Sequence, residues 1–302
     1  MKSFRWLIFP AVLGAAWALS GCKTLNQITE LGTSIAVMSG DLTPEQAAGI
    51  NRSTRAVTKT FEDISPEQEY YIGRTVAATC LSRYPAMDIP SLNAYLNTLG
   101  QSLARFSSRP ETFGGFHFLL LDSDELNAFA APGGLILVTR GLVDCCRSED
   151  ELAAVLAHEI GHVQNRDGLR AIKTGRLNTA LTTLATESAK NLGGQQLADV
   201  TSAFDDSISE ITGTLVNSGY SRRQEFQADA AAVEILRAAG YPPIALRSML
   251  ANMEKRWNPS RHDFAATHPP PADRIAELQK LGIGGTVLLP AVRIQRFQAA
   301  TR

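Results

Sequence analysis

The residues in this sequence best suited to chemistry are two histidines four apart, with a glutamate beside the first. They lie in Leu152-Ala153-Ala154-Val155-Leu156-Ala157-His158-Glu159-Ile160-Gly161-His162. Four residues is slightly more than one helical turn, so on a helix His158 and His162 project from the same face. Two imidazoles in that relation can bind one Zn²⁺ at about 2.0–2.1 Å each. Glu159 stands next to them and can take a proton from an activated water. A polar helix can carry the same letters by chance, so the weight falls on what surrounds them.

A catalytic zinc needs a third protein ligand. Glu225 and Asp229 are four apart in Tyr220-Ser221-Arg222-Arg223-Gln224-Glu225-Phe226-Gln227-Ala228-Asp229, hence on one helical face. Glu225 can supply an oxygen ligand, completing a His-His-Glu set. Asp229 is then placed to accept the N–H of a ligand imidazole and fix its tautomer. The bland alternative is a solvated acidic face. Further on, His268 sits in Thr267-His268-Pro269-Pro270-Pro271, followed by Asp273-Arg274. Prolines stiffen that stretch, which either holds His268 at a site or makes a surface turn. His117 and His262 show no partner spacing and read as structural.

The elements that must position these groups are partly legible. Ser148-Glu149-Asp150-Glu151 fits a capping box, with Ser148 as N-cap and Glu151 reaching back. The three acids also suit the positive end of the helix dipole. Leu152, Val155, Leu156 and Ile160 predict one buried face, with an end near Asn165 or Gly168. The second helix is expected over Tyr220 to Ala239, stopped by Gly240-Tyr241-Pro242-Pro243. Upstream, Ser65-Pro66-Glu67-Gln68 starts a helix expected to reach Arg83, and another covers Ser91 to about Phe106. Phe116–Leu121, Leu126–Ala130 and Leu135–Thr139 read as strands, the last two joined at Pro132-Gly133-Gly134. A helix should follow Arg274 to about Leu281.

Leu126–Ala130 is the candidate substrate strand, with Asn127, Ala128 and Phe129 named on it. An edge strand binds extended peptide through main-chain hydrogen bonds, which accept many sequences. The competing reading makes Asn127 a turn residue and Phe129 a core residue. Residues 169–219 are expected to form two helices broken at Gly193-Gly194. Leu197, Val200, Phe204, Ile208, Ile211 and Leu215 give the second an apolar stripe, which either packs on the core or forms a lid. The tail from Thr286 reads as an apolar, β-branched patch with a basic end.

The chain has 302 residues, 44% hydrophobic and 20% charged, with formal net charge −1. That is globular composition, and no broad basic field points to nucleic acid. Residues 1–21 read as an export signal: Lys2 and Arg5, then an apolar run too short for a comfortable membrane span. It ends in Leu19-Ser20-Gly21-Cys22, which resembles the bacterial lipobox, so Cys22 is the expected lipidation site. Lys23 in place of Asp then points to the outer membrane by analogy with enterobacterial sorting. Residues 22–65 are expected to be a tether with short helices, 66–282 the catalytic domain and 283–302 a tail. In an oxidising compartment Cys80 is expected to pair with Cys145 or Cys146, leaving one thiol over.

The ordered combination resembles peptidase family M48, which includes prenyl-protein endopeptidases, heat-shock proteases of the HtpX type and periplasmic lipoprotein proteases. It rests on His158-Glu159-Ile160-Gly161-His162, Glu225 with Asp229, and Thr267-His268-Pro269 with Arg274. Asn127-Ala128-Phe129, Pro132-Gly133-Gly134 and Thr139-Arg140-Gly141-Leu142 also match, so the likeness runs from about Pro66 to Leu281. The resemblance implies a gluzincin: an α+β, predominantly helical fold with a small sheet beside the metal helix. It implies Glu225 as third ligand, with His268 and Arg274 lining or supporting the cleft. The expected activity is a zinc endopeptidase, with one Zn²⁺ per chain and Glu159 as base. His268 is the candidate for stabilising the oxyanion. Substrates would be unfolded or misassembled envelope polypeptides, at the periplasmic face of the outer membrane. The rival is a zinc-containing chaperone-like module that holds outer-membrane proteins with little cutting. A cell-wall peptide hydrolase is a third reading.

Overall fold

The computed structural model describes residues 22–40, 42–45, 47–49, 51, 64–172, 219–256, 268–283 and 290–301. The export signal, most of the stretch read as a lid with its apolar stripe, His262 and the patch at Thr286 lie outside the described residues.

Contacts divide the chain into two units. The first contains helix α1, Cys22–Met38. Thr33 is buried there, its hydroxyl donating to Glu30 O and 2.9 Å from Asn51 Oδ1. Ile28, Leu31, Ile35 and Met38 are exposed.

The second unit carries the chemistry. Helix α2 is Pro66–Arg83, opened by a complete capping box between Ser65 and Gln68. Helix α3 is Pro90–Ala104. Strands β1 (His117–Leu121), β2 (Ala128–Ala131) and β3 (Leu135–Thr139) form one sheet in the order β1-β3-β2. β1 runs parallel to β3, and β2 antiparallel to it. A 3-10 turn at Pro132–Gly134 joins β2 to β3, and Gly133 and Gly134 take positive φ there, which glycine tolerates without strain. Glu69 anchors this turn. Its buried carboxylate accepts two hydrogen bonds of 2.7 Å from Arg109, one of 3.0 Å from Arg166 and one of 3.3 Å from Gly133 N.

Helix α4 (Arg140–Cys145) leads to the long helix α5 (Glu149–Gln164). Helices α6 (Arg222–Ala238), α7 (Ile244–Arg256), α8 (Pro271–Lys280) and α9 (Ala291–Thr301) complete the described unit. The α+β, mostly helical reading therefore stands. The main core gathers α3, β1, α5, α6 and α7. A second cluster of Ala77, Cys80, Tyr84, Leu121, Phe129 and Leu137 lies between α2 and the sheet.

Several expectations need correction. α5 is not buried on one face only: every residue from Glu149 to Val163 is buried, because the sheet, α3, α6, α7 and α9 surround it. Ser148 caps it by accepting from Glu151 N, as expected. Glu151 does not reach back to Ser148; its carboxylate takes Arg147 N at 2.7 Å, Ser248 Oγ at 2.7 Å and Asn252 Nδ2 at 3.0 Å. No disulfide joins the cysteines: Cys80, Cys145 and Cys146 are free and buried. The pairing fails because Cys80 belongs to the second core cluster and the other two to the main one. Burial pushes the Cys80 thiol up to about 12. The segment expected as a tail forms α9, which packs on α5 and α3.

Candidate metal centre

α5 and α6 build the site by packing closely. A Cβ on Gly161 would come within 2.8 Å of Ala228 O, so the glycine inside the histidine motif lets the two backbones meet. α5 then brings His158 and His162, and α6 brings Glu225. His158 Nε2 is 3.2 Å from His162 Nε2. Glu225 Oε2 is 3.5 Å from His158 Nε2, and Glu225 Oε1 is 3.3 Å from His162 Nε2. Donors at zinc-bond length in a tetrahedron stand roughly 3.3 Å apart, so the three side chains fit such an ion.

Each imidazole is aimed from behind. His158 Nδ1 is 3.0 Å from Asp229 Oδ1, and His162 Nδ1 is 2.9 Å from Asp167 Oδ2. An N–H donated at Nδ1 leaves Nε2 as the ligand atom and raises its basicity. Asp229 is itself held by the buried Arg274, whose Nε and Nη2 donate at 2.9 and 2.5 Å. Gln224 Nε2 donates to Asp167 O at 3.3 Å.

His268 completes the cluster. Its Nδ1 is 2.8 Å from Glu225 Oε2, and ligand atoms of His158, His162, Glu225 and His268 all lie within 4.8 Å of one another. Of the two readings of the proline-rich stretch, the structure favours a histidine held at the site.

The electrostatics follow from this packing. Burial pushes Glu225 up, but the His268 ring and hydrogen bonds from three imidazoles hold its carboxyl well below the usual carboxylate range. Burial pushes His162 down, yet Asp167 and Glu225 raise it to about 10. Burial pushes Asp229 up, and Arg274 with His158 more than offsets it. Burial lowers His268 despite Glu225 beside it. A metal entering here displaces protons from the imidazoles, because the ligand form of histidine is neutral.

Glu159 is buried beside His158, and both line an apolar cavity. The residues named on the candidate substrate strand behave differently. β2 is an edge strand, but all four of its residues are buried. Asn127 precedes it and uses its Oδ1 to accept from Ala128 N at 2.9 Å. Phe129 packs against the Tyr84 ring in the second cluster. Both are structural side chains, which leaves the β2 backbone as the part available to substrate.

Asp167 and Tyr220 went unread in the sequence. Asp167 lies five residues beyond His162, past the end of α5, so helical spacing does not find it. Tyr220 stacks on the His162 ring with centroids 4.2 Å apart and donates its hydroxyl to Ala130 O at 2.9 Å. It thereby ties β2 to the metal-ligand cluster. Its place just before α6 was the only available signal.

Two imidazoles from one helix and a carboxylate from a second define the class of His-His-Glu metallopeptidases. The family model for Peptidase family M48 matches residues 90–282, and the chain belongs to that family. It is 28% identical over 255 residues to the beta-barrel assembly-enhancing protease of Escherichia coli, covering 82% of this chain and 50% of that protein. It is 32% identical over 156 residues to the metalloprotease LoiP of Escherichia coli, covering 51% and 58%. It is 26% identical over 231 residues to the mitochondrial metalloendopeptidase OMA1 of Schizosaccharomyces pombe, covering 74% and 63%. The chain thus spans about half the length of the first of these relatives. No described helix is long and apolar enough to cross a membrane.

Proposed function

We propose that this chain is a zinc-dependent endopeptidase of the bacterial cell envelope that degrades misfolded or misassembled envelope and outer-membrane polypeptides. The observation that carries this is the trio of donor atoms on His158, His162 and Glu225, spaced 3.2–3.5 Å apart and backed by Asp229 and Asp167. The printed names of the bacterial relatives supply the substrate class, and Cys22 with the signal before it supplies a lipid anchor on the periplasmic face of the outer membrane.

His158, His162 and Glu225 would hold one Zn²⁺, which supplies Lewis acidity toward the scissile carbonyl and the attacking water. Glu159 accepts the proton of that water and returns it to the leaving amine. Asp229 and Asp167 keep the two ligand rings in the Nε2-binding tautomer. Substrate lies extended along the β2 backbone, beside Tyr220. His268 is assigned to the tetrahedral oxyanion; its Nδ1 faces Glu225 in the arrangement described, so the ring turns before it donates.

The test is chelator-sensitive cleavage of an unfolded outer-membrane protein by the full chain, against a Glu159→Gln variant. The reading expects fragments from the parent alone, with equal zinc in both by elemental analysis. Binding without fragments from either protein would favour the holdase and overturn it.

A further inference from the structure

An apolar cavity opens beside Glu159. Helix α7 presents Leu246, Met249, Leu250 and Met253 at helical spacing toward it. Leu142 and Val155 close the other sides, and His158, Glu159 and Arg274 form the polar wall. The empty space is about 290 Å³, counted out to the mouth. A well-packed interior leaves few such spaces, and this one adjoins the group assigned to proton transfer. Two of its walls are methionines, whose unbranched side chains rearrange more readily than leucine or isoleucine. Met249 is backed by Cys146, whose Sγ lies 3.7 Å from its Sδ and also donates to Leu142 O.

We infer that this cavity receives the side chain of the substrate residue that contributes the leaving amine, and that it selects a large unbranched aliphatic or aromatic side chain there. The inference rests on the protease reading above. Glu159 must reach the leaving nitrogen to return the proton. The residue bearing that nitrogen therefore places its side chain against the wall that Glu159 forms. That wall leads into a space whose other sides are apolar, so a charged side chain entering it would lose its water without gaining a partner. A small side chain would leave the space unfilled. The edge strand contributes sequence-tolerant backbone contacts, and the Leu246–Met253 face of α7 adds the side-chain preference. This suits a protease for unfolded chains, because such residues are buried in folded proteins and exposed when folding fails.

The experiment is cleavage-site profiling of the zinc-loaded full chain on a proteome-derived peptide library. Cleavage is expected on the N-terminal side of Leu, Met and Phe at least about tenfold over Ala, Ser or Asp, the size of discrimination an apolar pocket provides. Met253→Ala enlarges the cavity and should move the preference toward Phe and Trp. Leu250→Phe fills it and should move the preference toward Ala. Zinc content should equal that of the parent in both. Chelator-sensitive cleavage with no residue preference at that position overturns the pocket and leaves the protease reading standing. No cleavage by parent or by Glu159→Gln overturns both. The parent profile decides the question even where a variant folds poorly.

Discussion

The two ends of α5 bury carboxylates in different company. At its N-terminus Glu149, Asp150 and Glu151 are all buried. Glu149 receives Tyr95 and Tyr241 hydroxyls at 3.0 and 2.9 Å and both edges of the Arg296 guanidinium. Asp150 pairs with Arg293 at 3.0 Å, and Glu151 takes the partners given above. Toward the other end Glu225 faces three imidazoles, while Asp167 and Asp229 each back one. A guanidinium is a permanent cation built into the chain, so the first cluster is electrostatically finished. Imidazoles are metal ligands as well as donors, and the second cluster converges four of its atoms on one point. Burial of charge is common to both ends; convergence of ligand atoms marks the site.

Predictions can break this division. The largest effect is expected from Glu159→Gln, which should lower proteolysis about a thousandfold with unchanged metal content and melting temperature. At the other end Glu149→Gln should do the reverse. It breaks a buried, partly solvent-screened ion pair and should cost about 2–3 kcal/mol in denaturant unfolding, while activity per folded molecule is kept. If that variant loses metal instead, the two ends are not separate. Asp167→Asn should weaken zinc binding about 10- to 100-fold, read by competition with a chromophoric chelator, with little change in stability.

Smaller effects sharpen the same contrast. Burial pushes Glu149 up, but Arg296 and the two tyrosines hold it below its ordinary value. Its folded pKa is depressed, so its contribution is fully present above the ordinary value near 4.5 and lost as pH falls through the folded one. Asp150 opposes it, because burial raises its pKa despite Arg293. The melting temperature of Glu149→Gln should therefore fall less steeply on acidification than the parent's. Tyr220→Phe removes one hydroxyl donor to Ala130 O and should cost about 1 kcal/mol, with zinc affinity unchanged.

Local signals were legible where they act locally. The motif spacing, the Ser65 capping box, the β3 limits and the breaker after α6 all depend on residues within a few positions. Glu225, Asp229, Arg274 and His268 were found because two helical faces and a proline-stiffened stretch converge on one metal-sized space. Asp167 was missed because its approach depends on how the chain leaves α5 at Arg166, a non-glycine residue with φ of 55°. The full burial of α5 was missed because its apolar stripe is incomplete: three acids occupy its first turn, and only distant partners make them tolerable inside. The cysteine pairing failed for a related reason, since composition and compartment say nothing about which core a thiol enters.

The clamp on Glu149 and Asp150 also has a temporal side. Their arginines follow by 147 and 143 residues. A chain made from its N-terminus therefore exposes the acids long before it can neutralise them. Contacts of such long range carry a loop-closure cost and tend to slow folding. The helix bearing His158 and His162 thus cannot settle into its final burial until α9 arrives. A protease whose ligands mature this late is silent while its own unfolded segments are most exposed to cutting.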